Sequence, residues 1–152
     1  MKIAAVVLMG ALAAGATGAR GQEAEQRYFP DQSAYTEARL VKLEKAMERC
    51  FDCDNEGVVE SALAQIAWAK LNVPDRDFSR VRASLNQQAL YGRSPQIRFD
   101  AYLVTLIIDH PVLFRGLSEV NYESGQDLFR AVSAQLQKTL MGYNDRKWVR
   151  EE

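Results

Sequence analysis

Two stretches of the chain are apolar around almost the whole helical circle, and they constrain the fold more than any other feature. The first covers residues 56–71 and the second covers residues 97–108. At 100° per residue, the apolar positions of each stretch leave little room for a polar face. A helix of this kind has to be covered by other elements on most of its sides. The sequence therefore predicts two buried helices inside a helical domain.

Three other segments have the pattern of amphipathic helices, each with one apolar face. We expect these helices at about residues 33–50, 78–90 and 125–141. Residue types that favour helix N-caps precede four of the five predicted helices: Asn55, Asp77, Ser94 and Ser124. Gly142 is expected to end the last helix. Since no segment favours a strand, the sequence predicts an all-α fold of about five helices.

The two buried helices resemble each other at a fixed offset. A shift of 39 residues places Val58 and Ala62 over Ile97 and Ala101, so V-x-x-x-A recurs as I-x-x-x-A. An amphipathic helix precedes each of them, and this alternation with a period of about 40 residues is typical of stacked α-hairpins. Residues 33–110 thus resemble the HEAT-like helical-repeat class. The resemblance implies about two repeats plus a C-terminal helix, with the two apolar helices side by side inside.

A narrower resemblance comes from three short stretches. They are residues 54–61 (DNEGVVES), residues 74–75 (PD) and residues 98–103 (RFDAYL). Together they are similar to a group of small, secreted bacterial helical proteins without a characterised activity. This resemblance implies export and a helical fold.

The N-terminus has the order of features found in a cleavable signal peptide. Lys2 supplies a positive charge, residues 3–16 are uncharged and apolar, and small residues follow up to Ala19. The apolar run is shorter than the roughly 20 residues of a membrane-spanning helix. We expect cleavage after Ala19, or else after Ala16, and therefore a periplasmic or secreted protein. The remaining chain divides into a flexible lead-in (20–32), one helical domain (33–142) and a charged tail (143–152).

Cys50 and Cys53 form the one motif that carries recognisable chemistry. A C-x-x-C pair in an exported protein is either a disulfide, a pair of inert thiols or a redox-active dithiol. Redox pairs of the thioredoxin type open a helix after a strand, whereas this pair closes a predicted helix. The negative end of that helix, with Asp52 and Asp54, disfavours a thiolate. The pattern therefore favours a disulfide or inert thiols over redox activity.

Two further polar residues, His110 and Asp100, are candidates for a functional role. His110 is the single histidine and ends a predicted helix, where its contact with the last carbonyls is the common arrangement. Asp100 falls on the buried side of the second apolar helix, where an unpaired carboxylate is costly. We expect Asp100 to be a structural polar residue of the core, hydrogen-bonded to a neighbouring helix, and rank a ligand-binding role second.

The connection of residues 111–123 is long for a helix–helix link and rich in apolar residues. Five of them make a possible interaction segment: Val112, Leu113, Phe114, Leu117 and Tyr122. The segment either covers the open end of the helical stack, which we favour, or presents apolar groups to a partner.

The sequence predicts a binding or scaffolding module, with no catalytic constellation, no metal site and no cofactor. A net charge of −1 gives no basic excess for nucleic acid or an anionic membrane. The expected partner is a protein or peptide. The alternatives are a thiol–disulfide protein using Cys50 and Cys53, and a sensor or carrier of small molecules.

Overall fold

The computed structural model describes residues 28–148, and the side chains of residues 28–142. The predicted signal peptide, the lead-in up to residue 27 and residues 149–152 lie outside the described residues. All regular secondary structure of residues 28–148 is helical, and the predicted all-α class with five α-helices is confirmed.

The five α-helices are joined by short connections except before the last one. Their bounds are α1 Glu37–Phe51, α2 Glu56–Asn72, α3 Ser79–Tyr91, α4 Pro95–Asp109 and α5 Gly125–Trp148. Three short 3₁₀ helices cover Gln32–Ala34, Pro111–Phe114 and Leu117–Glu119.

Three of the predicted N-cap side chains make the expected hydrogen bonds to first-turn N–H groups. The Asn55 side chain accepts the N–H groups of Gly57 and Val58, and the Ser94 side chain accepts that of Ile97. At the start of α5, Ser124 Oγ accepts the Asp127 N–H at 3.1 Å. Each of these side chains pairs a first-turn N–H that has no partner within the helix.

Two predicted helix ends were wrong. The first helix begins at Glu37 instead of residue 33, because the chain first makes the 3₁₀ turn Gln32–Ala34. The last helix continues through Gly142 to Trp148, into the segment predicted as a charged tail. In a helix interior, glycine is only about 1 kcal/mol less favourable than alanine, so a single glycine does not have to end a helix.

The predicted buried helices α2 and α4 pack against each other and form the centre of the core. α1 packs on α2 and on α3, and α3 packs on α4, while α5 contacts α2 and α4. Leu63 and Leu103 have no exposed surface. Leu140 of α5, by contrast, is 57% exposed.

α5 approaches α2 closely at its first residue. A Cβ atom built on Gly125 would lie 2.7 Å from the Ala64 Cβ, far inside van der Waals contact. Because Gly125 has no side chain and Ala64 has only a methyl group, α5 and α2 can pack closely at this point. The first turn of α5 is thereby held beside the first half of α2.

A buried charged cluster ties α1 to the α2–α3 connection. Glu44 is almost fully buried, and its Oε1 lies 3.0 Å from Arg76 Nη2. This is an ion-pair distance, although neither Glu44 Oε1 nor Arg76 Nε makes a hydrogen bond. Burial raises the pKa of Glu44 against the opposing effect of Arg76. In the helical pattern Glu44 lies beside the apolar face of α1, and the fold buries it against Arg76.

The buried Lys70 ammonium fixes the same connection. Lys70 Nζ donates to the carbonyl oxygens of Pro74 at 2.6 Å and Arg76 at 2.8 Å. It also lies 5.7 Å from the centre of the Phe78 ring. Desolvation lowers the pKa of Lys70, while nearby carboxylates including Asp77 oppose that effect.

The lead-in is packed against the core where the structure describes it, unlike the flexible segment expected. Phe29 is buried and stacks on Trp68 with ring centres 5.0 Å apart. Trp68 Nε1 donates to the Pro30 carbonyl at 2.9 Å. Gln32 Nε2 donates to the Asn72 carbonyl at 3.0 Å. These contacts hold residues 29–32 along the second half of α2.

Candidate functional site

Cys50 and Cys53 are free thiols, each partly exposed. Cys50 lies in the last turn of α1 against the core, and the Cys53 N–H donates to the Cys50 carbonyl at 3.1 Å. The pair thus sits at the C-terminal end of α1, where the helix dipole opposes a negative charge. This position favours inert thiols over a redox centre.

His110 is exposed and occupies the C-cap of α4. Its backbone N–H donates to the Leu106 carbonyl at 2.8 Å, so the main chain, and not the imidazole, closes the helix. Among the side chains described within residues 28–148, no group of three or more His, Cys, Asp and Glu is placed to hold a metal ion. No helix in the same range is long and apolar enough to cross a membrane.

The segment between α4 and α5 is held against the domain by its 3₁₀ helices, which contact α2, α4 and α5. Phe114 and Tyr122 are buried, Leu117 is half-buried, and Val112 and Leu113 are exposed. Tyr122 Oη donates to the Leu117 carbonyl at 3.0 Å, and burial raises the pKa of Tyr122. The segment therefore covers the core, and of the five predicted contact residues only Val112 and Leu113 present appreciable surface.

Asp100 is buried as expected, with 2% of its surface exposed. Its Oδ1 accepts the Gln96 side-chain N–H at 2.8 Å, one turn earlier in α4. The expected partner on a neighbouring helix is thus replaced by one on the same helix. Desolvation raises the pKa of Asp100 from 3.8 to about 6, the Gln96 hydrogen bond lowers it, and the nearby Glu60 carboxylate raises it.

A cavity of about 220 Å³ lies beside Asp100, where the first turns of α2 and α5 approach α4 and the start of the described chain. Its lining consists of Tyr28, Gly57, Glu60, Ser61, Asp100, Ser124, Gly125, Gln126 and Phe129. Among the described residues, the lining thus contains two carboxylates and two aromatic rings but no basic side chain. The sequence indicated Asp100 alone, because the other residues come from distant parts of the chain.

Two larger hollows follow the lead-in, with volumes of about 340 and 390 Å³. They share four lining residues: Gln32, Asn72, Ser118 and Glu119. Amides, a hydroxyl and a carboxylate dominate this shared wall. The Gln32 side chain donates to the Asn72 carbonyl, so this wall also holds the lead-in, whereas the Asn72 side chain donates to the Trp68 carbonyl within α2.

A row of exposed apolar side chains, which we call the α4 stripe, consists of Phe99, Tyr102 and Leu106. At 100° per residue the three positions fall within about 60° of one another. Phe99 is 47% exposed and Tyr102 is 50% exposed, while Leu106 is half-buried. Tyr102 and Leu106 lie within residues 97–108, the stretch that the sequence predicts as a buried helix. A helix that is apolar all round does not itself reveal which side is left uncovered.

No protein-family model matches the chain, and neither curated proteins nor solved structures contain a match to it.

Proposed function

We propose that this chain is an exported helical-repeat module that binds a protein partner through the α4 stripe. The partner element is a helix that presents apolar side chains. The observation that carries the proposal is the pair of half-exposed aromatic residues Phe99 and Tyr102 on one face of α4. Aromatic side chains are the residues that most often dominate binding energy at protein interfaces.

The packing order of the helices supports the repeat-like part of this proposal. Two stacked hairpins need contacts within each pair (α1 with α2, α3 with α4) and between like members (α1 with α3, α2 with α4). All four contacts are present. In such a stack, α3 and α4 form the last hairpin before α5. A partner helix on the α4 stripe would add to the stack in the place of a following repeat.

The binding surface is tested with a double variant, Phe99→Ser with Tyr102→Ser. Affinity capture from extracellular or periplasmic extract, quantified by mass spectrometry, is run with wild type, the double variant and a control variant. The matched control is Leu140→Ser, because Leu140 is a similarly exposed apolar residue of α5. We expect wild type and the control to capture the same protein and the double variant to lose it. A protein captured equally by all three forms would contradict binding through the stripe.

Export is proposed on the sequence of the N-terminus and has its own test. N-terminal sequencing of protein recovered from outside the cytoplasm should begin at Arg20, or at Thr17 if the alternative site is used. Recovery of the chain with Met1 intact in a soluble cytoplasmic fraction would refute export and leave the binding surface to be judged separately.

A second candidate function, small-molecule binding, is supported by the cavity beside Asp100. A concave site with a few convergent polar groups is the usual form of a ligand pocket.

A further inference from the structure

The cavity beside Asp100 has an unbalanced charge. Asp100 and Glu60 both line it, and neither makes an ion pair with the side chains described for residues 28–142. The Gln96 amide is the one hydrogen-bond partner that Asp100 has in this part of the chain, and it binds only Oδ1. A nearly fully buried carboxylate normally has a charged or fully hydrogen-bonded partner. The site is therefore short of a positive charge.

The helix ends around the cavity supply partial positive charge but no formal positive charge. The N–H groups of Gly57 and Val58 are taken by the Asn55 side chain. The N–H of Asp127 is taken by Ser124 Oγ. The dipoles of α2 and α5 offset part of the negative charge, but these capped ends leave the two carboxylates as the dominant groups facing the cavity.

The remaining lining groups fit an organic cation. The rings of Tyr28 and Phe129 form part of the wall, and aromatic faces attract cations. The Ser61 hydroxyl, another lining group, is an additional hydrogen-bond acceptor. A volume of about 220 Å³ corresponds to roughly seven water molecules of liquid, which suits a short aliphatic chain.

We propose that this cavity binds a primary ammonium group carried on a short aliphatic chain. The ammonium has three donors, which would bond to Asp100, Glu60 and Ser61, and the methylene groups would lie against the aromatic rings. The group belongs either to a free alkylamine or to a lysine side chain of a bound peptide. The site lies on the buried side of α4, away from the α4 stripe, so it goes beyond the partner surface proposed above.

Isothermal titration calorimetry at pH 7.5 and low salt tests the proposal, with n-butylammonium as the probe. The matched neutral compound is 1-butanol, which has the same chain and nearly the same volume. We expect the full chain after signal-peptide removal to bind butylammonium and to bind butanol at least about tenfold more weakly. Equal binding of the two compounds would overturn the proposal, because the carboxylates would then have no role.

Two variants locate the binding site. Asp100→Asn and Glu60→Gln should each weaken butylammonium binding by roughly tenfold or more, the usual effect of losing a hydrogen bond to a charged group. Glu56→Gln makes the same charge change one turn earlier in α2, outside the cavity lining, and should leave the affinity unchanged. Glu60 is only half-buried, so its variant keeps the fold even if Asp100→Asn does not. Unchanged affinity in Glu60→Gln would refute the site.

Two further experiments distinguish a lysine side chain, a free amine and the chain's own Arg27 as the natural occupant of the cavity. Nα-acetyl-lysinamide should bind at least as tightly as butylammonium if the natural ligand is a lysine of a peptide, and much more weakly if it is a free amine. Arg27 precedes Tyr28 in the sequence and lies outside the described residues. If wild type fails to bind butylammonium and Arg27→Gln gains binding, the chain's own arginine is the occupant and the proposal of an external amine is wrong.

Discussion

Asp100→Asn should make the protein more stable at neutral pH, although it changes a buried hydrogen-bonded residue. The variant keeps the shape of the side chain, and its amide oxygen can still accept the Gln96 N–H. What it removes is a carboxylate whose charged form is poorly solvated in the core. The gain in stability measures the cost of that charge.

The magnitude follows from the pKa of Asp100, which burial raises from 3.8 to about 6. Between these values the folded chain binds a proton more tightly than the unfolded chain, so the wild type loses stability as the pH rises through this window. A difference of about two pKa units corresponds to about 3 kcal/mol at pH 7. The Asn variant has no such loss. Its advantage should therefore be small at pH 4 and reach at most about 3 kcal/mol at pH 7.

Urea denaturation followed by circular dichroism at 222 nm measures this difference at a series of pH values from 4 to 7. Other acids titrate in the same range, but those that do not interact with Asp100 contribute equally to both proteins and cancel in the comparison. Asp52→Asn, at an exposed residue, is the control and should stay within about 0.5 kcal/mol of wild type. A difference between wild type and Asp100→Asn that does not change with pH, or a variant that is less stable at pH 7, would refute the reasoning.

Four substitutions test the packing, each by thermal or chemical denaturation. Leu63→Asp places an unpaired charge in the core and should prevent folding, whereas Lys42→Asp on the exposed side of α1 should shift stability by less than about 0.5 kcal/mol. Equal tolerance of both changes would argue against the helical core described. Gly125→Ala should cost about 1–3 kcal/mol, because its Cβ would meet Ala64 at 2.7 Å. Gly142→Ala has open space and should be neutral or stabilising, so a loss in both glycine variants would refute the close-approach argument.

The helices themselves were predictable because their signals are local. An N-cap such as Asn55 and the apolar residues of α2 lie within a few turns of one another, so the sequence displays them together. Burial of α2 and α4 followed from their all-round apolar pattern, without knowledge of their neighbours. The same pattern cannot show which side stays open, and Phe99 and Tyr102 are exposed for that reason.

The candidate site was less predictable because its parts are distant in sequence. Tyr28, Glu60 and Phe129 line one cavity with Asp100, and no spacing rule connects residues so far apart. The burial of Glu44 depends in the same way on Arg76, which lies in the connection between α2 and α3. The lead-in resembled a flexible segment because its partner, Trp68, comes 38 residues after the carbonyl that it binds.

The α2–α3 connection is unusual for a turn in how little freedom its backbone has. Exposed loops are normally where proteases cut and where new termini or inserted domains are tolerated. Here the Lys70 ammonium holds two carbonyls of the turn, and the guanidinium of Arg76 reaches across to Glu44. Cutting or lengthening the chain at this connection would leave a buried ammonium without its acceptors. For engineering split or circularly permuted forms of the domain, this connection is therefore a poor place to open the chain.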